Sequence, residues 1–163
     1  MSDYAAYHAW LGALGARTLR VIVTGSRDWT DYDRVDWTLI DIDAYLRRSL
    51  RKQGQDPRQT LTMANGMATH GLDALADLWV DRVPCGRSWF TEPHPADWIR
   101  NGRAAGFIRN QQMVARGADA CVAWIKPCSK SACTRPKPHG SHGATDCADR
   151  AEKAGIPTWR WAL

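Results

Sequence analysis

Two kinds of chemistry can be read from residue type and spacing in this chain. The first is metal ligation. Cys128, Cys133, His139 and His142 stand as C-x4-C-x5-H-x2-H. Two thiols and two imidazoles in one short segment can close a tetrahedral Zn2+ site. The segment has little apolar material to fold it otherwise, and a metal would supply the missing free energy. Against this, the spacing is not that of the common zinc fingers. Lys126, Lys130, Arg135 and Lys137 would also oppose a nearby dication. The same residues read equally as a basic flap with free thiols, or as a flap whose His139 and His142 face a ligand.

The second is anion binding. Gly25-Ser26-Arg27-Asp28 follows an apolar run. Glycine permits a sharp turn there, Ser26 can donate to a phosphate, and Arg27 can grip one bidentately. In Thr60–Val80, an apolar run breaks at Asn65-Gly66 and apolar residues then recur at helical spacing (Leu72, Leu75, Ala76, Trp79). A glycine-bearing loop that ends a strand and opens a helix offers free N–H groups to an anion. Asn65, Thr69, His70 and Asp73 ring the same mouth; the plainer reading makes His70 or Asp73 a helix cap. Farther on, Arg103 and Arg109 flank the small residues Ala104, Ala105 and Gly106. That pattern suits a close-lying ligand, or helix–sheet packing with the arginines solvated.

These residues need elements to hold them. LRVIVT at Leu19–Thr24 is a near-continuous apolar run, as expected of a parallel strand covered on both faces. A helix follows over Asp31–Lys52, with Val35, Leu39, Ile42 and Leu46 as its buried stripe. Gly54–Arg58 reads as loop, Thr60–Ala64 as the second strand and Arg87–Thr91 as the third. Two prolines make Glu92–Pro95 loop. One helix is expected from Pro95 or Ala96 to Arg116, weakest at Gly102 and Gly106. Ala118–Ile125 is the fourth strand and Lys126–Gly140 a loop. A tight turn begins at Ser141–Gly143, and the last helix covers Thr145–Ala154. Gly155-Ile156-Pro157 stops that helix, and Thr158–Trp161 is the final strand. Residues 1–17 form an amphipathic helical extension ahead of the main domain at 18–163.

Strand and helix alternate throughout. The expected fold is therefore α/β: one Rossmann-like three-layer domain with a mostly parallel sheet flanked by helices. Ligands of such sheets bind at the carboxyl ends of the strands. The loops at Gly25–Asp28, at Asn65–Asp73 and before Gly143 should meet on that edge.

The chain has 163 residues, a net charge of +5 and nine tryptophans. The charge favours an anionic partner but is too small to demand a polymer. Five cysteines are an odd number, and the start of the chain lacks the pattern of a secretory signal. No run approaches the ~18 apolar residues of a membrane span. A cytoplasmic protein with reduced thiols, not membrane-bound, is the expectation.

The chain resembles the SLOG superfamily of Rossmann-like proteins, which includes the LOG phosphoribohydrolases and the DNA-processing protein DprA, and within it the YspA-related group. The resemblance covers Leu19 to Trp161. It is carried by VTGSRD (Val23–Asp28), NGMATHGLDALA (Asn65–Ala76), DWIRNGRAAGFIRN (Asp97–Asn110) and HGATDCADRAEKAGIPT (His142–Thr158). It implies a nucleotide site at Gly25, Ser26, Arg27, Gly66, Gly71, Asp73, Arg109, Asn110 and Gly143. Asp28, Asn65, His70 and Thr145 belong to the same turns. LOG enzymes carry PGG-x-GT-x-x-E, whose glutamate assists N-glycosidic cleavage. Here the turn reads GSHGATDC: Ala144 replaces the threonine, Thr145 comes one later, Cys147 falls at the glutamate, and Asp146 is the nearest carboxylate.

The resemblance therefore implies binding of a nucleotide or nucleotide derivative, as a sensor or sequestering protein. The alternative is a LOG-like enzyme cleaving a nucleoside 5′-monophosphate, with Arg109 stabilising charge and Asp146 or Asp73 as acid/base. Single-stranded nucleic-acid binding ranks last, because no continuous basic–aromatic patch is visible. The superfamily also implies a homo-oligomer, with Ser2–Arg17 and Asp97–Arg116 as interface elements.

Overall fold

The computed structural model describes residues 6–7, 9–10, 19–83 and 88–162. Strands β1 (Arg20–Gly25), β2 (Leu61–Asn65), β3 (Trp89–Pro93), β4 (Ala120–Ile125) and β5 (Thr158–Ala162) form one sheet in the order β3-β2-β1-β4-β5. All four pairings are parallel. The apolar runs explain this placement. The side chains of Val21, Ile22 and Val23 are fully buried, and every residue of β4 is buried, as strands covered on both faces require.

Helices α1 (Tyr32–Lys52) and α2 (Leu72–Arg82) cover one face. The stripe Val35, Leu39, Ile42 and Leu46 meets Val21, Val23, Met63 and Val122 in the main core. Helices α4 (Ala105–Ala115) and α5 (His142–Lys153) cover the other, where Met113, Val114, Cys147 and Ala151 pack on Ile22, Ala64 and Cys121. The three-layer α/β expectation holds.

The nine tryptophans sort cleanly. Trp29, Trp79, Trp89, Trp124 and Trp161 sit in the main core, with Trp10, Trp37 and Trp159 packed against it. Only Trp98 stands out, 49% exposed. Inside this core, Asp43 accepts from Arg47 Nε at 2.7 Å and from Trp89 Nε1 at 2.8 Å. Most of the 1–17 extension lies outside the described residues. Its Ala6, Tyr7, Ala9 and Trp10 are helical, and Tyr7 donates to the Thr38 carbonyl at 3.1 Å. That contact seats this part on α1.

Three expectations are corrected. Glu92 and Pro93 belong to β3 and not to a loop: His94 N donates to Asn65 O. Pro93 closes an edge strand, where a missing N–H leaves no partner wanting. The helix expected up to Arg116 is broken into α3 (Trp98–Asn101), a 3-10 turn at Gly102–Ala104, and α4. Gly102, the C-cap of α3, has φ +48°, which ends the α-helical run, while Gly106 continues α4 undisturbed. Helix α5 starts at His142, three residues earlier than expected, with Ser141 at its N-cap; Ser141–Gly143 is therefore not a separate turn.

Candidate functional site

A cleft of about 740 Å3 opens at the carboxyl edge of the sheet. It lies over the ends of β1 and β4, where the strand order reverses and open α/β sheets take their ligands. Its floor is the loop after β1. Ser26 N donates to the Trp124 carbonyl, and Ser26 Oγ accepts from Lys126 N at 2.9 Å and shares a hydrogen bond with Ser141 Oγ at 2.7 Å. Ser26 thus ties β1, β4 and the N-terminus of α5 together. Lys126 Nζ also donates to the carbonyl of Asp28.

The walls come from three elements. From the segment between β2 and α2, Ala68, His70 and Asp73 line the cleft. From α3 through α4 come Trp98, Arg103, Phe107, Arg109 and Asn110. From the start of α5 come His142, Gly143 and Ala144, whose first-turn N–H groups point toward the cleft end of the helix. Four cations (Arg27, Arg103, Arg109, Lys130) face two carboxylates (Asp28, Asp73). Arg27 lies over the Trp98 ring, 5.2 Å from its centroid.

Of the residues read from sequence, Gly25, Ser26, Arg27, Asp28, His70, Asp73, Arg109, Asn110 and Gly143 line this cleft. Asn65, Gly66, Gly71, Thr145 and Asp146 do not; all but Thr145, whose buried Oγ1 has no hydrogen-bond partner among the described residues, have a structural task behind the wall. Asn65 is fully buried; its Nδ2 donates to Asp77 at 2.7 Å and its Oδ1 accepts from Met67 N at 3.0 Å. Gly66 leaves room for Arg109, and Gly71 (φ +71°) leaves room for the Arg27 backbone, 2.3 Å from where its Cβ would stand. Thr145 Oγ1 turns to Gly140, whose Cβ would lie 2.7 Å away. Asp146 Oδ2 accepts from Asn110 Nδ2 at 3.0 Å and Arg150 Nε at 2.9 Å. Helix α2 is capped by neither His70 nor a side chain of Gly71; instead Asp73 accepts from Ala68 N at 3.1 Å.

The sequence reading passed over Trp98 and Phe107 as site residues. Phe107 is 38% exposed in the same cleft. The available signal was a repeated aromatic-Ile-Arg triplet, Trp98-Ile99-Arg100 and Phe107-Ile108-Arg109.

At one end of the cleft, the loop between β4 and α5 brings Cys128, Cys133, His139 and His142 together. Their four donor atoms lie within 4.8 Å of one another. Cys128 is buried and the other three half-buried. Burial, then Arg135, Lys130 and His139, hold the His142 imidazole below its ordinary pKa. Cys128 and His142 are also cleft residues.

No family model matches the chain, and no solved structure matches it. The Gene 61 protein of Mycobacterium phage D29 is 37% identical over 139 residues, covering 85% of this chain and 92% of that protein. The chain belongs to the Gene 61 protein family.

In this Gene 61 family chain Asp73 is the buried carboxylate of the cleft. Burial raises the pKa of Asp73; the Ala68 N–H and then Arg109 and Arg27 only partly oppose it. Cys147 is fully buried in the core beneath the cleft, beside Cys121. The Cys147 contact, then burial, push the Cys121 thiol up. Cys147 does not line the cleft. Among the described residues no helix is long and apolar enough to cross a membrane.

Proposed function

We propose that this Gene 61 family member is a SLOG-type domain that binds a nucleotide or nucleotide derivative in the cleft and does not turn it over. The observation that carries this reading is the meeting of anion-binding groups with two partly exposed aromatic rings in one cleft at the switch point. The phosphate takes the Gly25–Arg27 loop, Arg109 and the N–H groups at the start of α5. The base lies against Phe107 and the Trp98 ring that Arg27 overlies, both partly exposed. A cleft of about 740 Å3 holds a molecule of this size. Arg109 Nε has no hydrogen-bond partner among the described residues, and Asn110 Oδ1 has none either. Buried polar atoms in that state favour a polar ligand.

One observation favours the LOG-like enzyme as second reading. Asp73 combines a raised pKa with a place beside Arg109, which suits a general acid for a departing base. The burial of Cys147 and the engagement of Asp146 by Asn110 and Arg150 weigh against it.

The test is isothermal titration of the purified chain with AMP, ADP and NAD+, with chromatography for free base after long incubation. Saturable binding that Arg27→Ala and Arg109→Ala each abolish, with no base released, supports the binding reading. Base release lost in Asp73→Asn supports the enzyme. No binding of any nucleotide overturns both.

A further inference from the structure

We propose that Cys128, Cys133, His139 and His142 hold one Zn2+ in a closed, structural site that fixes the loop between β4 and α5. The inference stands apart from whatever the cleft binds.

The geometry comes first. Cys128 Sγ lies 3.5 Å from His142 Nε2, and Cys133 Sγ lies 3.4 Å from His139 Nε2 and 3.2 Å from His142 Nε2. The two Nε2 atoms are 3.1 Å apart. A tetrahedral zinc with Zn–S of about 2.3 Å and Zn–N of about 2.05 Å has S···N edges of about 3.5 Å and N···N edges of about 3.3 Å. The observed edges match to a few tenths of an ångström.

Tautomers agree with this. His139 Nδ1 stands 2.7 Å from the Pro136 carbonyl, which can only accept. Nδ1 therefore carries the proton, and the Nε2 lone pair faces the cluster. A carbonyl on the far nitrogen is the usual support of a metal-bound histidine.

Charge also balances. Zn2+ with two thiolates and two neutral imidazoles carries no net charge. Lys126, Lys130, Arg135 and Lys137 then favour the thiolates and face no bare dication.

The loop needs such a clamp. Between Lys126 and Ser141 only Cys128 is buried. Backbone bonds from Cys128 N to His139 O and from Ser141 N to Lys126 O close its base, and no apolar core holds its tip. Metal binding would supply that free energy. Four protein ligands leave no open position for water or substrate, which makes the site structural.

Metal analysis of the full chain purified under reducing conditions tests this, together with reconstitution of the metal-free protein with Co2+ alone. The expected result is about one zinc per chain and a cobalt spectrum with thiolate charge transfer and strong tetrahedral bands. Cys133→Ser should lower zinc affinity by at least about tenfold. If that variant does not fold, the cobalt spectrum of the unaltered chain decides alone. Failure of the unaltered protein to take up Zn2+ or Co2+ overturns the proposal. So does bound Co2+ without thiolate charge transfer.

Discussion

The guanidinium of Arg109 occupies the space beside Gly66 where any other residue would place its Cβ. A Cβ built there stands 1.3 Å from Arg109 Nη1. Gly66 thus acts through its missing side chain: it seats a cation in the cleft wall, where Arg109 donates to the His94 carbonyl at 3.3 Å.

Gly66→Ala should therefore behave like an Arg109 variant. AMP affinity is expected to fall about tenfold or more, because a charge-assisted contact is worth about 1.5–3 kcal/mol. Gly143 is the opposite case, with nothing within 4 Å of a built Cβ. Gly143→Ala should leave Tm unchanged or raise it, since alanine is the better helix former by about 0.8–1.0 kcal/mol. Calorimetry on both variants checks the pair; a strongly destabilised Gly143→Ala would contradict the open geometry.

Trp98 separates ligand binding from folding. Half exposed, it contributes little to the core. Trp98→Ala should change stability by no more than about 0.5 kcal/mol. Loss of base stacking, worth about 1–3 kcal/mol, should weaken nucleotide binding roughly tenfold. Chemical denaturation and titration of the same preparation read both quantities. Unchanged affinity would remove Trp98 from the site.

Glu92 sets an acid limb of stability. Its carboxylate meets Arg20 at 2.9 Å, Arg116 at 3.0 Å and His94 at 2.6 Å. These bonds, that of Arg20 foremost, lower its pKa from 4.5 to about 2. A pKa lower in the folded than in the unfolded chain stabilises the fold above pH 4.5, and the contribution disappears as pH falls toward about 2. Glu92→Gln should cost about 1–3 kcal/mol at pH 7 and flatten this limb. Urea midpoints across that range measure it; a parallel shift at every pH would contradict the assignment.

Asp73 has the reverse sign. A raised carboxyl pKa means the folded chain binds the proton more tightly, so stability falls as pH rises from the ordinary value of 3.8 through the raised one. Asp73→Asn should remove that decline and raise Tm at neutral pH. Thermal melts from pH 4 to 7 are the measurement, and a lower neutral Tm in the variant would reverse the reading.

The Asp43–Arg47 pair tests the core itself. Arg47 is 8% exposed and Asp43 fully buried. Asp43→Ala strips Arg47 and the Trp89 indole of a shared acceptor and should cost about 3–5 kcal/mol, the usual penalty of an uncompensated buried charge. Denaturant unfolding reads this directly.

By itself the sequence determined the layers. Strong local periodicity placed β1, β4 and α1, because a strand buried on both faces must be apolar throughout and a half-buried helix must be striped. It also placed the Gly25–Asp28 loop, Arg109 and the cluster of two Cys and two His, whose types are rare enough to speak without context. What it could not supply were distances between segments far apart in the chain. Nothing local marks Trp98 as the one tryptophan outside the core, because the sorting depends on which partners arrive at each ring. Asn65, Gly66 and Gly71 have the residue types of a ligand loop, yet tertiary contacts with Asp77, Arg109 and Arg27 use them as packing. Asp146 and Cys147 are likewise settled by what packs on α5: Asn110 and Arg150 engage the carboxylate, and the sheet buries the thiol. Local pattern encodes which face of an element is apolar; only the assembled fold decides what each polar group meets.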